Sequence, residues 1–194
     1  MEKLPILKLK DWLNEAEAKV EGNWNAMCIS SIDKEGYSDS RMVLFKQFNK
    51  NKIVFFTNYQ SKKGSDILNN GKVSAVFFWD KLGRQVRIQG DATKTTREIS
   101  EAYYNSRALG SRVSAILSQQ SQEIDSYDVL RNKFEDLKKE YIDKEPVCPD
   151  YWGGIEIEIN KIEFWQEHES RLHEREVFTK VENSESWNKK FLSP

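Results

Sequence analysis

The sequence is poor in the residues that staple, coordinate or kink a chain: its 194 residues hold two cysteines, two histidines and four prolines. Cys28 and Cys148 lie far apart with no cysteine or histidine at ligand spacing, which argues against a disulfide framework and a zinc site, and no metal is expected. Cys28 falls in an apolar strand pattern and is expected to be a small core residue. No apolar run is long enough to span a bilayer, and the opening Met1-Glu2-Lys3-Leu4-Pro5 lacks the apolar core of a secretory signal. A cytoplasmic protein with no membrane partner is therefore expected. Neither sign of charge is in excess, with 30 basic residues against 31 acidic, so there is no electrostatic footprint for nucleic acid. There is no internal repeat, low-complexity tract or linker, and the length suits one domain over residues 1–194.

What the chain does have is a clear alternation of periods. Residues 7–20 follow helical spacing and end at Gly22-Asn23, which tolerate the left-handed conformation after a helix. Residues 26–32 read as a strand turning at 33–36. Residues 40–46 and 53–58 read as two strands of a β-hairpin across the polar stretch 47–52, and a helix starts at Ser61–Gly64 and ends near Asn70. Strands over 73–79 and 84–92 follow, joined by 80–83. The period then becomes helical from Thr95 or Thr96 to about 107, again from Gly110 to 117, and most clearly over 126–141, where Val129, Leu130, Phe134, Leu137 and Tyr141 form one packing stripe. After Pro146 and Pro149, Trp152-Gly153-Gly154 leads into a strand over 155–159, a turn at Asn160-Lys161, and further strands over 162–166, 171–175, 177–181 and 187–192. Six or seven mostly antiparallel strands with a helical insert make an α+β pattern that a closed or split barrel satisfies.

The candidate chemistry begins with cations. Arg41 and Lys46 mark the ends of one strand, and Lys62 and Lys63 stand at a helix start beside Thr57 and Ser61. Backbone N–H groups at a helix start, with Lys and Arg nearby, suit a dianionic phosphate, although cations at strand ends are more often solvated surface. Tyr103 and Arg107, four apart, can share a helix face that would otherwise be ordinary surface. A single Trp165 would more often be core, and an isolated His173 more often structural.

These stretches, taken with Arg84-Gln85-Val86, Tyr103-Tyr104-Asn105-Ser106-Arg107 with Ser111, Gln120-Ser121, Tyr151-Trp152-Gly153-Gly154, Ile162-Glu163-Phe164-Trp165-Gln166 and Arg171-Leu172-His173-Glu174-Arg175, resemble the pyridoxine/pyridoxamine 5′-phosphate oxidase family in order and spacing. The resemblance implies an FMN-binding split β-barrel, mostly antiparallel with peripheral helices, whose segment from about 150 to 194 serves dimerisation and substrate binding. It implies a homodimer with FMN at the subunit interface. Arg41, Met42, Val43, Leu44, Phe45, Lys46, Phe56, Thr57, Lys62, Lys63, Gln85, Gln120, Ser121, Trp165 and Arg175 would contact the cofactor. Lys46, Tyr103, Arg107 and Ser111 would hold the substrate phosphate, with Arg171 and His173 over its ring as the catalytic pair. On a strand, residues two apart point to one side, so that pair would approach one ligand together. The implied reaction oxidises a phosphorylated B6 vitamer to pyridoxal 5′-phosphate with O2 as acceptor.

The chain departs from the family pattern in four places. It starts almost at the first helix, so a basic lid segment is expected to be missing. Phe56 replaces a common Tyr, Lys62 a common Arg, and Glu167-His168-Glu169-Ser170 a turn often rich in glycine. Two other functions stay open on these residues: a related FMN oxidase with another aromatic substrate, as in phenazine biosynthesis, or a non-catalytic protein that binds flavin or pyridoxal phosphate.

Overall fold

The computed structural model describes residues 4–194; residues 1–3, part of the stretch read for a secretory signal, lie outside the described residues. Helix α1 (Leu4–Lys19) precedes strands β1 (Ala26–Ile32), β2 (Ser38–Leu44), β3 (Gln47–Asn49) and β4 (Lys52–Asn58). Helix α2 (Lys62–Asn70), strands β5 (Lys72–Trp79) and β6 (Arg84–Lys94), and helices α3 (Arg97–Ser106), α4 (Leu109–Leu117) and α5 (Tyr127–Glu140) follow. The chain closes with β7 (Trp152–Gln166), β8 (Glu174–Lys180) and β9 (Trp187–Phe191).

All nine strands join one antiparallel sheet in the order β2-β1-β5-β6-β7-β4-β3, with β8 and β9 continuing from β7. The sheet curls until its two ends come together: β2 and β3 are separated by Phe45 and Lys46 alone, β2 lies against β4, and the Lys46 backbone N–H donates to the Val54 carbonyl at 2.9 Å, extending the β3–β4 ladder. This is the expected split barrel. Strand β7 is its spine: β6 pairs along most of its length on one side, while β4 takes its first half and β8 its second half on the other. Alternation sends Phe55, Phe77, Ile88, Ile157 and Phe164 inward, and α1 lays Ile6, Leu9, Leu13 and Ala16 on the same core. A smaller core of Tyr104, Ala115, Cys148 and Trp152 sits beneath α3 and α4.

Several expectations are corrected here. Residues 40–46 and 53–58 are not a hairpin: β2 pairs with β1, whereas β4 pairs with β3 and β7. The polar stretch between them holds β3 as well as a tight turn with Lys50 at φ +56°, and polar side chains hid a strand whose outer face is wet. Asn160-Lys161 is no turn. The strand runs straight through it, and the register between β6 and β7 slips there, with Gln89 opposite Lys161 and Gly90 opposite Ile159. Asn160 is the extra residue of that bulge, and its side-chain amide donates to Asp91 Oδ2 at 2.6 Å. The two strands expected over 171–175 and 177–181 are one, β8, preceded by a 3-10 turn at Glu169–Arg171. Cys28 is half-buried on the outer face of β1, because its neighbours Met27 and Ile29 take the core side. Helix α5 buries no residue at all; its stripe is narrower than expected, with Val129 exposed and Leu130, Phe134, Leu137 and Tyr141 half-buried. Among the described residues no helix is long and apolar enough to cross a membrane.

Gly90 is where the bulge demands its residue type: a Cβ there would lie 2.2 Å from the Glu158 carbonyl oxygen and 2.8 Å from Ile157. Backbone cannot yield as a flexible side chain does. Gly90→Ala is therefore expected to destabilise the fold by about 3 kcal/mol, measured as a lower urea midpoint with an unchanged slope. A midpoint equal to that of the parent chain would mean the bulge relaxes freely.

Candidate active site

A cleft of about 590 Å³ opens between β2, β4, the start of β7 and the helices α3 and α4. That volume suits an organic cofactor or substrate. Met42, Val43 and Leu44 form an apolar wall, and Phe56, Thr57 and Asn58 continue it on the next strand. Because Met42 and Leu44 alternate with core-facing Val43, β2 exposes the first two, and Met42 is 63% exposed.

One end of the cleft is cationic through Lys63. Ser61 caps α2, its hydroxyl accepting from the Gly64 N–H, and so sets where the first helical turn begins. Gly64 belongs there because a Cβ would lie 2.5 Å from the Asn58 carbonyl oxygen. From that turn Lys63 Nζ donates to Gln120 Oε1 at 2.8 Å, and Thr57 Oγ1 donates to the same oxygen at 3.4 Å. Burial, with Arg41 as a neighbouring cation, pushes the Lys63 ammonium down to about 8. A buried cation with a neutral partner is stabilised by an incoming anion. Lys62 faces away: its ammonium meets Asp66 at 3.0 Å, Asp39 at 3.1 Å and Asp33 at 3.5 Å, and the Asp66 and Asp39 hydrogen bonds raise its affinity for a proton. Its backbone N–H donates to Ser121 Oγ at 3.2 Å, with Ser121 in the left-handed region at φ +74°. Arg41 sits beside this group, donating to Ser31 Oγ at 2.7 Å and pairing with Asp39 at 2.6 Å.

The other hydroxyls and Arg107 lie on the helical side, and Lys46 comes from the link between β2 and β3. Lys46, Tyr103, Arg107 and Ser111 line the same cleft. Helix α3 ends with Arg107 in extended conformation at φ −80°, ψ 151°, which turns its side chain towards Trp152 while Tyr103 remains one turn back. The Arg107 guanidinium lies 4.7 Å over the Trp152 ring, and its Nη1 is buried without a hydrogen-bond partner. Burial lowers the Arg107 pKa, so this cation is held in a site that lacks its counter-charge. The donor sets at Lys63 and Arg107 fit two phosphate groups, and the apolar wall fits an aromatic ring system.

The remaining expected residues are elsewhere. Phe45 is core, packed edge-on to Phe48 and Phe77. Gln85, Trp165 and Arg175 stand opposite one another across β6, β7 and β8, so they share one face, opposite to that of core residues Val86 and Phe164. Arg175 donates to Glu163 Oε1 at 2.8 Å, and His173 packs on Trp165 with ring centroids 4.6 Å apart. Arg171 and His173 are not on a strand as expected. Arg171 ends the 3-10 turn at φ +61° after Ser170 at φ +58°, and His173 precedes β8, so their relation is set by a turn and not by strand alternation. The His168 backbone N–H donates to His173 Nδ1 at 3.2 Å, which assigns the ring proton to Nε2.

Sequence reasoning missed Asn58, Ala108, Ser114, Ala115, Ser118 and Trp152 as cleft residues. Three of them had a signal: residues 108, 115 and 118, with the expected Ser111, are small and recur at helical spacing, which permits a helix to stand close to a ligand.

Comparison with known proteins gives consistent findings. Residues 13–140 match the family model described as pyridoxamine 5′-phosphate oxidase, and residues 152–194 match the pyridoxine 5′-phosphate oxidase C-terminal dimerisation region. The chain is 40% identical over 190 residues to a pyridoxine/pyridoxamine 5′-phosphate oxidase of Leptospira interrogans, covering 98% of this chain and 88% of that one. It is 41% identical over 191 residues to the protein of the same name from Pelagibacter ubique, covering 98% and 91%. Among solved structures, PhzG from Burkholderia lata in complex with tetrahydrophenazine-1-carboxylic acid matches with a TM-score of 0.92 at 24% identity, covering 100% and 94%. A pyridoxamine 5′-phosphate oxidase-related, FMN-binding protein from Nostoc punctiforme matches with a TM-score of 0.76 at 13% identity, covering 96% and 95%. At those identities the two structures speak to the fold alone.

Proposed function

Since the chain belongs to the pyridoxine/pyridoxamine 5′-phosphate oxidase family, we propose that it oxidises pyridoxine 5′-phosphate or pyridoxamine 5′-phosphate to pyridoxal 5′-phosphate. In this reading FMN is the cofactor and O2 the final acceptor, with hydrogen peroxide released; the amine substrate also takes up water and gives ammonia. The observation that carries it is the pairing, in one cleft, of a cationic pocket at Lys63 with a second anion site of Lys46, Tyr103, Arg107 and Ser111. A non-phosphorylated phenazine-type ring would leave that second site without a partner.

Bound FMN supplies the hydride acceptor and its own reoxidation by O2. The chain's residues supply position. Lys63, with Gln120 and Thr57, holds the cofactor phosphate, while Met42, Val43 and Leu44 bound the ring. Lys46, Arg107 and the hydroxyls of Tyr103 and Ser111 clamp the substrate phosphate, which turns binding energy into proximity at the reacting carbon. With its proton on Nε2, His173 donates to the substrate and so orients it, and Arg171 adds a second donor set. Gln85, Trp165 and Arg175 lie on the outer sheet face, and the 152–194 segment corresponds to a dimerisation region. A homodimer in which one copy's outer face completes its partner's cleft accounts for both groups of residues. A cytoplasmic site of action accords with a soluble phosphorylated substrate.

The test is a visible spectrum of the purified, flavin-loaded protein kept free of oxygen. Addition of pyridoxine 5′-phosphate is expected to bleach the flavin, and readmitted oxygen to restore it. A flavin band that substrate leaves unchanged would remove the B6 oxidase reading and favour a flavin-binding protein without this turnover.

A further inference from the structure

Three aromatic rings beneath the cleft lie nearly parallel. Phe56 and Tyr103 stack with centroids 3.9 Å apart and 18° between planes, and Trp152 is inclined by only 14° to the first and 6° to the second. Trp152 is 6% exposed, braced edge-on by Tyr104 at 5.4 Å. Its placement is fixed from the far side as well. It opens β7 opposite Asn58, and the following Gly153 admits no side chain, since a Cβ would lie 2.2 Å from the Tyr59 hydroxyl. Over this fixed ring lies the Arg107 guanidinium, 4.7 Å from its centroid, with Nη1 buried and unpartnered.

An arginine side chain has several rotatable bonds and is normally aimed by carboxylates. No ion pair or hydrogen bond holds this guanidinium from behind among the described residues; the indole face does so. We propose that Trp152 is a positioning residue for the substrate phosphate: a rigid aromatic platform that fixes the Arg107 guanidinium by cation–π contact and keeps its remaining donors free for the anion. A carboxylate in the same place would aim the cation but neutralise it, whereas a ring aims it and leaves its charge available. This rests on the reading of Arg107 as a phosphate ligand.

The test is a double-mutant cycle in the full-length, flavin-loaded protein, comparing Trp152→Leu, Trp152→Phe, Arg107→Met and the two combined changes with Arg107→Met. Trp152→Leu is expected to raise KM for pyridoxine 5′-phosphate about tenfold, with kcat and flavin content nearly unchanged. Trp152→Phe, which keeps a ring face, is expected to restore most of the loss. In the Arg107→Met background neither change should raise KM further, because the contact they alter is already gone. Additive losses, or a Phe variant as impaired as the Leu variant, would overturn the platform. If Trp152→Leu does not fold, the Phe variant decides alone: a KM effect that vanishes in the Arg107→Met background supports the platform, and one that persists overturns it. A parent protein inert to pyridoxine 5′-phosphate would sink the functional reading only, and the same cycle read by inorganic phosphate binding would then decide the platform on the same criteria.

Discussion

Lys63→Ala is expected to weaken FMN binding by ten- to a hundredfold, whereas Lys62→Ala is expected to change it by less than about threefold. The first figure follows from the loss of a charge-assisted hydrogen bond, which contributes about 1.5–3 kcal/mol. The contrast follows from geometry. Lys63 points into the cleft with only Gln120 and Ser61 as neutral partners, while Lys62 is already engaged by Asp33, Asp39 and Asp66 at its exposed position. Adjacent lysines at one helix start thus have different tasks. The pH dependence has a defined sign. Burial and Arg41 push Lys63 down to about 8 in the free protein, so the ammonium that an anion pairs with is present below that pH and lost above it. FMN affinity is therefore expected to fall as pH rises through about 8, and to fall again below about 6 as the phosphate monoester dianion takes up a proton and becomes a monoanion. Fluorescence titration of the flavin into the apoprotein at several pH values measures both effects. Equal losses for the two lysine variants would show that Lys62 leaves its carboxylates when the anion arrives.

Arg171→Ala and His173→Ala are each expected to keep the flavin and to lower kcat about 100-fold, the scale at which misplaced reacting groups cost an enzyme its rate. Arg171 is held at φ +61° directly after Ser170 at φ +58°, a conformation that residues with a side chain adopt reluctantly. His173 is fixed by the His168 N–H on one side and the Trp165 ring on the other. Both restraints limit how these side chains can turn, and the hydrogen bond accepted at Nδ1 leaves Nε2 as the ring atom that faces outward as donor. Stopped-flow reduction of the flavin under anaerobic conditions separates this step from reoxidation. Unchanged reduction rates would take both residues out of the site.

Much of this was legible in the sequence because local signals were clean. Helix α2 begins at Lys62, where a helix start was read beside Lys62 and Lys63, and Tyr103 and Arg107 share the cleft as their spacing implied. Non-local pairing was not legible. Residues 40–46 and 53–58 looked like partners because they are neighbours in sequence, yet they meet only where the curled sheet closes, through Lys46 and Val54. At Asn160-Lys161 two polar residues that would suit a turn serve a bulge, since one extra residue in a strand has the composition of a bend without reversing the chain. Arg171 and His173 were assigned strand geometry that the positive φ of Ser170 and Arg171 forbids. Trp152 was read only as part of a motif, because a tryptophan before two glycines announces close packing and gives no hint of which cation lies on its face.

The edges of the sheet are short or charged, and that limits strand addition between copies of this chain. An open sheet ends in rows of unpaired backbone groups that recruit strands from other molecules. Here one end of the main sheet path, β3, is only three residues long, and the other, β2, lies against β4. The outermost strand beyond β8, β9, is five residues long and carries the exposed cations Lys189 and Lys190. Short, charged edges make poor templates for strand addition. Strand addition at these edges is thereby disfavoured, and with it the open-ended edge stacking that leads to fibres.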